Sequence, residues 1–100
     1  NDPNALEKLK KAHDLNPNNY DLNVDYGIFL FKIDSFALAR EILEKAKKSI
    51  YNLEGKPDFY VGVIDLSNGD NSSACINLKK ARDLKFSNKQ ISELINLYCR

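Results

Sequence analysis

The groups on this chain that could do chemistry are one histidine, two cysteines and fourteen acidic residues. A histidine serves as a general base or metal ligand only with an orienting acid, a nucleophile or further ligands in reach. Asp14 adjoins His13, but sequence neighbours on a helix do not face one another. His13 is therefore expected to sit solvated near a helix C-terminus, where a cation is favoured. Cys75 and Cys99 have no CxxC partner and no histidine at ligand spacing. They allow one bridge at most. The preferred reading is two free, reduced thiols acting as small apolar filler, which points to an intracellular, cytoplasmic setting. The glycines form neither a GxGxxG nor a Walker sequence, so nothing cradles a phosphate. The carboxylates form no pair of definable geometry. The expectation is a protein that is not an enzyme, with no cofactor and no metal.

Composition narrows the remaining classes. One hundred residues suit one domain with one modest core. A hydrophobic fraction of 43% with 29% charged residues describes a folding chain. The net charge of +1 supplies no global attraction to nucleic acid or anionic membrane. No apolar run approaches the roughly 20 residues that span a bilayer. The start, Asn1-Asp2-Pro3-Asn4, has neither a basic nor an apolar leader segment.

The elements that must position any site emerge from an internal repeat. Ala5, Leu9 and Ala12 recur as Ala39, Leu43 and Ala46, and again as Ala74, Leu78 and Ala81. The steps are 34 and 35 residues, and Gly27 and Gly62 each stand 12 residues before the corresponding alanine. Apolar residues at i, i+4 and i+7 share one helical face. A glycine inside a helix costs about 1 kcal/mol against alanine. Its recurrence at one place predicts a close helix crossing that leaves no room for a side chain.

On these residues the chain resembles the tetratricopeptide repeat family. Tyr26-Gly27 with Leu30, then Ala39, Leu43 and Ala46, match one repeat. Val61-Gly62, then Ala74, Leu78 and Ala81, match another. Ala5, Leu9, Ala12 and Pro17 match a second half-repeat. Asn23 and Asp58 depart from the family's helix-A aromatic, and Tyr51 and Phe86 from its closing proline. The resemblance implies an all-α fold of about six helices, paired as antiparallel helix-turn-helix units in a right-handed superhelical solenoid. The expected division is a half-repeat over 1–19, repeats over 20–54 and 55–88, and a capping helix over 89–100, the whole being part of a longer protein.

Local signals place the helices. Asp2 and Pro3 open the first, to Leu15, and Asn16-Pro17-Asn18-Asn19 ends it. The others are expected over about 20–32, 35–51, 56–66, 71–84 and 88–99. The last keeps Ile91, Leu94 or Ile95, and Tyr98 on one face. The alternation Tyr20-Asp21-Leu22-Asn23-Val24-Asp25-Tyr26 reads locally as a strand, as does the composition of 59–64. An α/β fold is thus the alternative, with the repeat frame explaining more positions.

Charge is partitioned along the repeat. Second helices carry Lys8, Lys10, Lys11, Arg40, Lys45, Lys47, Lys48, Lys79, Lys80 and Arg82. First helices and their edges carry Asp21, Asp25, Asp34, Asp58, Asp65 and Asp70. Complementation of helix dipoles accounts for the lysines. A basic convex ridge meeting an acidic partner is the alternative.

The family resemblance also implies a function: a protein–protein interaction scaffold whose first helices line a concave groove. Its partner-contacting positions map onto Asp21, Val24, Ile28, Phe31 and Lys32, and onto Lys56, Phe59, Val63 and Leu66, with Tyr60 beside them. That groove is apolar and aromatic with an acidic edge, suited to a protein or peptide with apolar anchors and a basic residue. Val24, Ile28, Phe59 and Val63 stand where relatives that clamp acidic tails hold lysine and asparagine. Two further readings remain: a structural segment of a longer array, or a self-associating module. RNA binding by pentatricopeptide-like repeats fits less well, because the groove is not basic.

Overall fold

The computed structural model describes residues 3–99. Six helices follow one another: α1 (Ala5–Leu15), α2 (Tyr20–Lys32), α3 (Phe36–Lys47), α4 (Lys56–Ser67), α5 (Asn71–Asp83) and α6 (Gln90–Tyr98). No strand occurs among the described residues. Each helix packs on the next, and α2 also touches α4. The resulting slab measures 41 × 27 × 21 Å. This is the all-α helical repeat that the spacing predicts.

The strand-like alternation of 20–26 is overridden for a physical reason. Asn19 accepts a hydrogen bond from the Leu22 amide at 3.0 Å and caps α2. The helix then buries Asn23, Val24, Tyr26, Gly27 and Leu30, residues on more than one face. α4 does the same with Pro57, Asp58, Phe59, Val61, Gly62, Ile64 and Asp65. Inner helices touched from several sides lose the single apolar stripe that marks an outer helix. α3 keeps that stripe, burying Ala39, Ile42, Leu43 and Ala46.

The glycines make the crossings close. A β-carbon on Gly27 would lie 2.5 Å from Leu43 Cγ and Cδ2, and one on Gly62 would lie 2.9 Å from Leu78 Cγ. Leu43 and Leu78 are fully buried, so neither can swing away. Two apolar clusters result. One joins Tyr26, Leu30, Ala39, Ile42, Leu43, Val61 and Ile64. The other joins Phe59, Leu78, Ala81, Ile91 and Ile95. A string of rings, Phe36–Phe31–Tyr60–Phe59–Phe86, runs between them at centroid spacings of 5.2–5.6 Å.

Helix ends also repeat. Asp34, Gly69 and Lys85 adopt positive φ at the ends of α2, α4 and α5. Each is followed by a backbone bond reaching back five residues: Ser35 to Leu30, Asp70 to Asp65 and Phe86 to Ala81. These are Schellman closures, which stop a helix by satisfying its last carbonyls.

Two boundaries depart from expectation. α3 stops at Lys47 and not near Tyr51. The Ser49 amide bonds to the Ala46 carbonyl, and the Asn52 side chain takes the Lys47 carbonyl, which closes the helix early. α1 starts at Ala5 after Asn4, and a cap at Asp2 lies outside the described residues. In α6, Ile91 and Ile95 are buried as expected, while Tyr98, in the last turn of the same face, is 45% exposed.

Replacing Gly27 by alanine tests the close crossing. Overpacking typically costs 1–3 kcal/mol, partly offset by the roughly 1 kcal/mol gained in helix propensity. A net loss of up to about 2 kcal/mol in urea unfolding is expected.

Candidate interaction surface

Ten positions were expected on the groove, and the structure divides them. Asp21, Val24, Ile28, Lys32 and Lys56 line two adjoining recesses, each about 300 Å³. One is bounded by Tyr20, Asp21, Val24, Asp25, Tyr51, Leu53, Glu54 and Lys56. The other is bounded by Leu9, Asp25, Ile28, Phe29, Lys32 and Lys56. Asp25 and Lys56 are common to both, so the recesses form one trough along α2. Val24 contributes mainly floor, since it is buried. Phe31 turns into the ring string between Phe36 and Tyr60. Phe59, Tyr60, Val63 and Leu66 belong to the cluster that α6 completes, and Phe59 is 5% exposed.

Several lining residues escaped the sequence reading. Tyr51, Leu53 and Glu54 come from the loop between α3 and α4, the start of which continues a helical pattern in the sequence. Asp25 was legible in principle, because it lies one turn from Asp21 on the same face. Tyr20 completes the wall. Its phenol is pushed above the ordinary tyrosine value, first by burial and then by the negative charges of Asp58, Asp21 and Glu54. This end of the trough is electronegative.

Asn52 holds the loop in place. Its amide nitrogen donates to Asp58 Oδ2 at 2.7 Å and to the Lys47 carbonyl at 3.3 Å. Its amide oxygen accepts from the Gly55 backbone at 3.2 Å and from the Tyr20 hydroxyl at 3.4 Å. One side chain thus ties α2, α3 and α4 around the recess that Tyr51, Leu53 and Glu54 rim.

Two of the first-helix carboxylates, Asp58 and Asp65, are interior. Asp58 is fully buried, with Lys80 Nζ 3.3 Å from its Oδ1 as an ion-pair contact. Asp65 is 2% exposed and accepts from Arg40 Nε at 2.7 Å, Ser73 Oγ at 2.7 Å and Asn77 Nδ2 at 3.0 Å. The hydrogen bond from Arg40 to Asp65 is the main reason its guanidinium pKa is raised. Lys80 and Arg40 therefore neutralise buried acids across helix pairs, a role beyond dipole complementation. Buried carboxylates demand such partners.

Two further expectations are corrected. His13 is not solvated: its side chain is 16% exposed and its ring lies 5.2 Å from that of Tyr26, at the α1–α2 interface. The cysteines are not free: Cys75 and Cys99 form a disulfide with Cα atoms 5.5 Å apart, within the usual bridging distance. Paired cysteines withdraw the support that free thiols lent to a reducing compartment. Among the described residues, no three His, Cys, Asp or Glu side chains group as a metal site. Among the described residues, no helix is long and apolar enough to cross a membrane.

The tetratricopeptide repeat family model matches residues 3–52, which spans α1, α2 and α3. The chain belongs to the tetratricopeptide repeat family. No curated protein and no solved structure matches it. Tetratricopeptide repeats generally mediate protein–protein interactions and typically act as scaffolds without catalysis.

Substituting Asp65 by alanine tests the buried network. It removes one of the two acceptors of the buried Asn77 amide nitrogen and leaves Arg40 Nε and Ser73 Oγ without the carboxylate they donate to. A loss of about 2–3 kcal/mol in urea unfolding is expected from the stranded donors.

Proposed function

We propose that the chain is a protein-interaction scaffold whose trough along α2 takes a peptide segment with apolar anchors and a basic residue. The observation that carries this reading is the pairing of floor and rim. Val24, Ile28, Tyr20 and Leu53 offer apolar surface, and Asp21, Asp25 and Glu54 set three carboxylates against the single Lys56 in the first recess. A lysine or arginine laid there rests its alkyl stem on the ring faces of Tyr20 and Tyr51 and turns its charge to the acids. The same carboxylates disfavour a nucleic-acid backbone. The surface of α4 contributes through Lys56, while Phe59, Tyr60, Val63 and Leu66 meet a ligand only where α6 leaves them uncovered.

Titration with basic-apolar peptides, followed by amide chemical shifts, tests the assignment. Shifts are expected on 20–32, 51–54 and Lys56. Charge reversal at Asp21 and Asp25 should weaken binding by roughly tenfold or more, as expected for lost close charge pairs. Shifts confined to α3 and α5 contradict the groove.

One observation favours a second reading, a segment of a longer array or a self-associating module. α1 buries no residue completely and exposes Leu6 and Leu15. Light scattering across concentrations separates the two: a strict monomer argues against self-association.

A further inference from the structure

Helix α6 is tied down at both ends. The six residues 84–89 link its start to the end of α5. At its other end, Cys99 follows the last turn and is bonded to Cys75 in the first half of α5. Between these ties the docking surface is small. Ile91 and Ile95 are the buried side chains of α6, set against Phe59, Leu78 and Ala81, with Leu94 packed beside them. Leu97 and Tyr98 stand exposed. A nine-residue helix is marginal in water by itself, so α6 keeps its shape through docking.

The bridge is also reachable. A surface recess of about 310 Å³ opens on both cysteines and is lined by Asn71, Ser72, Lys79 and Tyr98. An attacking thiolate can approach along it. Lys79 lines the same recess, and positive charge there favours a sulfur leaving as a thiolate.

We propose that Cys75–Cys99 is a redox latch that holds α6 on the end of the solenoid and releases it when a dithiol reductant opens the bridge. One thiolate of the reductant attacks a bridge sulfur. The S–S bond breaks, a mixed disulfide forms, and the freed cysteine thiolate takes a proton. The reductant's second thiol, as its thiolate, then attacks its own sulfur in the mixed disulfide and expels the other cysteine, which is protonated in turn. The chain gains two electrons and two protons, and the reductant leaves as its own disulfide. An oxidised dithiol of the same class runs the sequence backwards and closes the latch.

The bridge acts on the undocked state. Its two cysteines are 24 residues apart in sequence, and linking them removes most of the conformations that a freed α6 could explore. Without it, undocking becomes on the order of 10²-fold more frequent, given the usual effect of a bridge over such a loop. Undocking bares Phe59, which clusters with Ile91 and Ile95, and Val63, Leu66 and Phe86, which pack against that cluster. The latch operates whether or not the trough along α2 binds a peptide.

Hydrogen exchange of the full chain, read by mass spectrometry with and without dithiothreitol, tests this. Reduction adds two hydrogens. Amides of 90–98 are then expected to exchange on the order of 10²-fold faster, while those of 39–46 stay unchanged. A Cys99→Ser variant is expected to show the fast α6 exchange in either condition. Three results overturn the latch: unchanged exchange over 90–98 after complete reduction, both cysteines still open to alkylation after equilibration with oxidised glutathione, or a Cys99→Ser variant whose α6 exchange still responds to the dithiol.

Discussion

The architecture depends on a steric constraint met twice: Leu43 against Gly27 and Leu78 against Gly62. Each leucine fills the space where a β-carbon would stand. This brings α3 onto α2 and α5 onto α4 at close range, and the small Ala39, Ala46, Ala74 and Ala81 complete the approach with no exposed surface. Close crossing converts short helices into a continuous core, since no single pair encloses its own apolar face. It also fixes which side of α2 faces outward, and so which residues can line a trough.

Polar residues refine what the apolar crossings begin. Asp58 and Asp65 lie two turns apart on α4, and each is answered by a cation from a flanking helix. A buried carboxylate tolerates few arrangements of its partners, so these pairs set the register of α3 and α5 on α4 more narrowly than dispersion contacts could. Asn52 extends the same logic to a loop. By binding Asp58 and Tyr20 together, it turns the segment 51–54 into a wall of the recess.

The legible part of the fold was the part written in spacing. The 34- and 35-residue steps and the placed glycines led to the helical repeat and its crossings. Local composition misled where tertiary contact dominates. Residues 20–26 alternate like a strand because α2 is contacted on several sides, and Ile50 and Tyr51 continue a helical pattern that Asn52 interrupts through its side chain. The pairing of Cys75 with Cys99 was illegible because it depends on α6 folding back along α5, a relation no local motif records. His13 was misjudged likewise: its contact, Tyr26, lies on the next helix. For the surface, the positions on α2 were legible through the repeat, while the loop residues and the cover that α6 lays over α4 required the assembled structure.

The trough thus follows from the crossing that turns α2 outward, the asparagine that seats its wall, and the acids left on its rim. Calorimetric titration with two peptides of identical apolar anchors, one carrying lysine or arginine and the other aspartate or glutamate, tests this account most directly. It predicts that the basic peptide binds at least about tenfold more tightly, and that the preference shrinks as salt rises. Equal affinity, or tighter binding of the acidic peptide, would contradict it.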